Sequence, residues 1–193
     1  MKASNLWRTL TRTQRLAWNA WAKDNKVLLD DGNVRRVSGR KAMTMVLRNR
    51  TVAGQATDPS TLPVPVAWLD GSLSVDNAGP FTENAGYVGF RTTVALTEAT
   101  KWFVWATPPV NDTEQQPHGR LRFMKCMSLG VIAQGELTAN IGADYEPVCG
   151  SWDGPGVDGA WPVNTYVWFR VHQYANGQLS PGVVLKGLIA VQL

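Results

Sequence analysis

Imidazole serves as general base and as metal ligand, so His118 and His172, the chain's two histidines, are the first residues to test for chemistry. They stand far apart, His118 in a polar stretch and His172 on the outer face of an expected strand. No residue near either one selects a Ser/His/Asp or Cys/His set, and the chain reads as a non-enzyme. Cys126 and Cys149 are the only cysteines, without a CxxC pair or clustered histidines. A structural zinc needs four ligands at close spacing, so two buried free thiols are expected rather than a metal site or a disulfide. Asp153 and Asp158 lie in the Gly-rich stretch GSWDGPGVDG. A calcium loop needs six to eight oxygens on a DxDxDG spacing that is missing here, which leaves a plain loop. Asn111-Asp112-Thr113 is a glycosylation sequon, relevant only in a eukaryotic secretory protein. No cofactor is expected.

The stronger signal is aromatic and basic. Trp7–Ala22, WRTLTRTQRLAWNAWA, carries Trp7, Trp18 and Trp21 together with Arg8, Arg12 and Arg15. Residues 1–50 hold twelve Lys and Arg against three Asp and Glu, a net of +9, and the remainder is net −5. A basic end seeks an acidic partner, which is nucleic acid, an acidic protein surface or the acidic part of another copy. Interfaces concentrate binding energy in buried aromatic anchors inside a polar rim. On that pattern Trp7, Trp18 and Trp21 are the expected anchors, with Arg12, Arg15, Arg35, Arg36, Arg40 and Lys41 as the charged rim. Phosphate contacts and base stacking by the same residues form the second reading. Against it, a Trp pair on one short helix face suits a core or an interface better, and no recognition-helix motif accompanies it. A third reading takes Trp152 and Trp161, flanking the Gly-rich loop, as platforms for sugar rings; the competing role is to cover a sheet edge.

These residues need elements to hold them. Ser4 and Thr11 are both candidate N-caps, and Thr11-Arg12-Thr13-Gln14 has the form of a capping box. From Arg12 to Lys23 there is no Gly or Pro, and Trp18 and Trp21, three apart, share a face. Asp31-Gly32 between Val27–Leu29 and Val34–Val37 predicts a small hairpin. Ser38 then caps a second helix over Arg40–Asn49, whose Ala42, Met43, Val46 and Leu47 form an apolar stripe. Arg40, Lys41, Arg48 and Arg50 charge its ends and outer face. This helix is expected to pack on the Trp face of the first. Pro59, Pro63 and Pro65 fall within seven residues and mark a linker over 51–65.

Beyond the linker the apolar period becomes 2. Strands are expected over Tyr87–Leu96, Trp102–Ala106, Arg120–Leu129, Val131–Ile141 and Tyr166–Tyr174, and at the C-terminal end. In the third of these Leu121, Phe123 and Met127 are expected to face inward; in the fifth, Val167, Phe169 and Val171. Asn176-Gly177 predicts a tight turn.

The composition is that of a globular protein, 44% hydrophobic and 18% charged over 193 residues. No apolar run approaches the length of a membrane span, so no membrane partner is expected. The N-terminal MKASNLWRTL lacks an apolar core, so no secretory signal is expected and synthesis in a cytoplasm is.

Two resemblances add to this reading. Tyr166, Val167, Phe169, Arg170, Val171, Gly177, Ser180 and Pro181 resemble the last hairpin of a fibronectin type III-like sandwich, where an aromatic-rich strand precedes a Gly turn and Ser-Pro. This likeness covers about residues 62–193, longer than a usual module, and implies a seven-stranded Greek-key sandwich with insertions; that fold carries no single function. In the N-terminal part, Trp7, Leu10, Thr11, Gln14, Arg15, Ala17, Trp18, Trp21, Ala22, Ser38, Gly39 and Asn49 form a pattern similar to small uncharacterised bacterial proteins found near prophage-like virion genes. That likeness implies a structural component of a phage or phage-like particle and transfers no active site. The expected architecture is therefore mainly β. A basic helical docking region with a small hairpin (1–50) and a Pro-rich linker (51–65) precede an antiparallel fibronectin type III/Ig-like β-sandwich (66–193). The expected partners are virion or assembly subunits and further copies of the chain, and the expected location is the virion.

Overall fold

The computed structural model describes residues 3–29, 34–64, 68, 73–78, 87–92, 100–111, 118–129, 135–140, 145, 148–149 and 165–188. Helices α1 (Ala3–Thr9) and α2 (Arg12–Asp24) come first, then strands β1 (Val27–Leu28) and β2 (Val34–Arg35), then helix α3 (Gly39–Val52). Strands follow: β3 (Leu73–Ala78), β4 (Tyr87–Thr92), β5 (Thr100–Ala106), β6 (Val110–Asn111), β7 (Arg122–Leu129) and β8 (Gly135–Asn140). The last are β9 (Thr165–Ala175), β10 (Gln178–Leu179) and β11 (Val183–Leu188). The chain forms two compact units: Met1–Trp68 with Tyr174–Pro181, and Leu69–Gln173 with Gly182–Leu193.

In the first unit the expected capping box is present. Thr11 Oγ1 accepts from the Gln14 amide at 3.2 Å, and Gln14 Oε1 accepts from the Thr11 amide at 2.9 Å. The box requires extended backbone at its cap residue, and Thr11 sits at φ −63°, ψ 163°. The Trp-rich stretch is therefore two helices broken at Leu10–Thr11 rather than one, and Ser4 lies inside α1 instead of capping it. Ser38 caps α3, its side chain accepting from the Lys41 amide at 3.3 Å. The expected stripe Ala42, Met43, Val46 and Leu47 is buried, at most 5% exposed, in one cluster with Leu10, Trp18, Trp21, Ala22 and Val27. Strands β1 and β2 pair antiparallel as expected, Val27 opposite Arg35; the Asp31-Gly32 turn lies outside the described residues.

The stretch read as a linker is folded into this unit as far as it is described. The Trp18 indole Nε1 donates to the Pro59 carbonyl at 2.8 Å. Arg50, expected on the outer face of α3, is instead buried, because its Nη1 donates to the Thr61 carbonyl at 3.1 Å and the Asp58 carbonyl at 3.4 Å. Paired in this way, a guanidinium satisfies backbone acceptors that would otherwise be lost to water. Tyr174–Pro181 belongs to the same unit. Asn176 (φ 50°) and Gly177 (φ 87°) form the two-residue loop between β9 and β10, with both residues left-handed as a type I′ turn demands.

The second unit holds two antiparallel sheets. One has the order β3-β4-β8; in the other, β9 is flanked by β5, which continues to β7, and along it by β11. Strand β3 lies against β11. Val167, Phe169 and Val171 are buried as expected, at most 2% exposed. Two other expectations are corrected. Phe123 is 37% exposed while Met124 and Met127 face inward. A register shift against β5 between Val104 and Trp105 places Phe123 opposite Trp105 and Lys125 opposite Val104. The extra residue, Met124, reverses the in–out alternation on that side. His172, expected on an outer face, is 1% exposed, with the Trp105 ring edge-on at 5.0 Å and Gly182 packed on its imidazole. Cys126 and Cys149 are both free thiols, Cys149 buried and Cys126 partly so. The Gly150–Gly159 loop, Trp152, Trp161, Asp153, Asp158 and the end of the C-terminal strand lie outside the described residues.

Candidate docking surface

The first unit carries the basic half of the chain: twelve Lys and Arg against four Asp and Glu, a net of +8. Its tryptophans divide. Trp18 is 1% and Trp21 8% exposed, and their rings meet edge to face at 5.8 Å and 71° inside the core. These two expected anchors are thus interior residues of the unit itself. They are spent on holding α2 against α3, because a short amphipathic helix is marginal until its apolar face is packed. Trp7 is partly buried and packs against the same cluster. That leaves it alone among the three with ring surface in reach of a partner.

The six cationic residues behave otherwise: Arg12, Arg15, Arg35, Arg36, Arg40 and Lys41 are all exposed. Arg12, Arg15 and Asn19 share a face of α2 by helical spacing. Gly39, at the start of α3, packs directly on that face. A Cβ there would lie 2.4 Å from Asn19 Oδ1 and 2.8 Å from the Trp18 carbonyl carbon, so only a glycine permits this approach. The contact sets the first turn of α3, with Arg40 and Lys41, beside the arginine face of α2. Arg35, in β2, and Arg36, just after it, precede the same helix in the chain.

Electrostatically this arrangement works against the unit's own stability. Neither α2 nor α3 has an acidic residue in its first turn. Arg12 and Arg15 begin α2 and Arg40 and Lys41 begin α3, at helix ends where the backbone dipole is already positive. A cation there is unfavourable by about 0.3–1 kcal/mol. An anionic partner would turn each of these costs into a gain.

Leu16, 58% exposed, falls beside Arg12 and Arg15 by helical spacing and is a candidate site residue that the Trp and Arg pattern overlooks. The signal was its position two residues before Trp18, which at about 100° per residue places it on roughly the opposite side of α2 from the core.

Elsewhere the titratable groups have structural surroundings. Burial raises the Cys149 thiol to about 11, partly offset by Arg122. Tyr145 is buried and donates its hydroxyl to the Thr107 carbonyl at 2.7 Å, and burial raises its pKa. Among the described residues no group of three His, Cys, Asp or Glu is placed to hold a metal, and no helix is long and apolar enough to cross a membrane. Comparison with protein families, curated proteins and solved structures finds no match to this chain.

Proposed function

We propose that this protein is a non-enzymatic structural component of a phage or phage-like particle, a decoration, minor capsid or connector protein. It docks through its basic first unit on an acidic surface of a neighbouring subunit. The observation that carries the docking step is the exposed cationic face around the Asn19–Gly39 contact, built against the dipoles of both helices. The contact uses Arg12, Arg15, Arg35, Arg36, Arg40 and Lys41, with Leu16 as an apolar contact and Trp7 as the remaining aromatic anchor. The particle context rests on the N-terminal sequence pattern described above.

For the second unit the reading is a fibronectin type III-like sandwich. The strand orders β3-β4-β8 and β11-β9-β5-β7 support it, since the chain changes sheet from β4 to β5, from β7 to β8 and from β8 to β9, as expected of a Greek-key sandwich. Such a module is suited to display or to contact between copies.

Nucleic-acid binding is the second reading, favoured by the same cationic face but weakened by the burial of Trp18 and Trp21, which removes two stacking platforms. The test is mass spectrometry of particles purified from cells that encode the chain. Stoichiometric presence, lost on Arg12→Glu/Arg15→Glu, is the expected result. A chain found only outside particles sinks the proposal, and a steep salt-dependent affinity for DNA or RNA favours the second reading instead.

A further inference from the structure

A cavity of about 370 Å³ opens in the first unit, at the end of α2 and beside the β9–β10 turn. Its volume falls in the range of small-molecule sites. Three of the residues lining it are amides: Asn25, Asn49 and Gln178. Each amide nitrogen donates one of its two N–H groups to a backbone carbonyl. Asn25 Nδ2 donates to Trp21 O at 2.8 Å, Asn49 Nδ2 to Gly177 O at 3.0 Å and Gln178 Nε2 to Val64 O at 2.8 Å. These bonds fix which way each amide is turned. They leave three carbonyl oxygens, none of which accepts a hydrogen bond from another described residue.

The remaining chemistry narrows the occupant. Trp68 is an aromatic residue of the lining, and Asp24 and Lys26 line the cavity together, so its own charges cancel. Neutral amides with free carbonyl oxygens offer an anion no charge partner. The +8 charge of the unit opposes a cation. A neutral ligand with several hydroxyl donors and an apolar C–H face matches the amides and Trp68, and that face also suits apolar lining residues such as Val27, Val34 and Met45.

The geometry points to a binding site for a neutral sugar residue. Its hydroxyls donate to the amide oxygens of Asn25, Asn49 and Gln178, and a ring face rests on Trp68. This site is separate from the cationic face and does not depend on the particle reading.

The test uses the full chain and saturation-transfer difference NMR with glucose, galactose, mannose, N-acetylglucosamine and N-acetylgalactosamine, at low and high salt. Saturable binding of at least one of these sugars is expected, unchanged by salt because the ligand is neutral. Trp68→Leu removes the stacking surface and Met45→Trp fills the cavity from a half-buried lining position; each is expected to weaken binding by roughly tenfold or more. Melting curves identify which variants remain folded, and if Trp68→Leu does not, Met45→Trp decides. The assignment is overturned if no sugar saturates, if binding survives in the folded variants, or if arginine amide displaces the sugar from the cavity.

Discussion

At the scale of single residues, Trp18 shows how one side chain can look like an interface anchor and be a core residue. It is basic in sequence context, aromatic and helical, yet its ring is 1% exposed and its Nε1 is tied to Pro59. Removing a buried Trp costs about 3–5 kcal/mol, a large share of the stability of a small domain. Trp18→Ala is therefore expected to melt the first unit, visible as a lower urea midpoint, so any loss of docking would follow unfolding. Loss of docking with an unchanged midpoint would instead return Trp18 to the interface. Cys149 offers a second test. Its thiol is raised to about 11 by burial, so at neutral pH its thiolate fraction falls roughly 100-fold below that of an ordinary thiol with a pKa of 9.0. A thiol reagent is expected to modify Cys126 first and Cys149 only on unfolding or in strong alkali, and equal rates would contradict the burial.

Among the elements, α2 and α3 were legible from sequence because their signals are local: a capping box, a serine cap and an apolar stripe lie within a few residues of what they control. Thr11→Ala removes the hydroxyl acceptor of that box and is expected to cost about 1 kcal/mol, read as a shift in the denaturant midpoint with the slope unchanged. The β9–β10 turn depends on both conformation and packing. Gly177 adopts φ 87°, and a Cβ there would lie 2.6 Å from Val46 Cγ1 on α3. Gly177→Ala is expected to destabilise by about 1–3 kcal/mol, more than the mild effect of an exposed turn glycine. Strand β7 was legible as a strand but not in its facing. The period-2 pattern assigns Phe123 inward, and a single extra residue in the ladder sends Met124 there instead.

On the scale of the whole molecule, the charge division is the property with most functional content. The exposed cations Arg12, Arg15, Arg40 and Lys41 of the first unit contribute little to its own stability and oppose its helix dipoles. Arg12→Glu/Arg15→Glu, alone or with Arg40→Glu/Lys41→Glu, is thus expected to leave the melting temperature unchanged or raise it slightly. Binding to the proposed acidic partner should fall by about an order of magnitude or more, with a weaker dependence on salt. A variant that loses stability and keeps its binding would show that the charges serve the fold.

The sequence by itself determined what depends on near neighbours and composition: two capped helices, the short hairpin, the Asn-Gly turn, the change to period-2 strands and the concentration of positive charge at one end. It also placed Val167, Phe169 and Val171 on a buried face, since strict alternation needs no knowledge of the partner strand. Tertiary structure alone decided where Arg50 and His172 go, because both are polar residues whose burial rests on distant neighbours: the carbonyls of Asp58 and Thr61 for one, the Trp105 ring and Gly182 for the other. It alone joined Tyr174–Pro181 to a unit more than a hundred residues earlier in the chain and thereby formed the amide-lined cavity. No local pattern encodes such a site, because Asn25, Asn49, Trp68 and Gln178 become neighbours only when the chain returns.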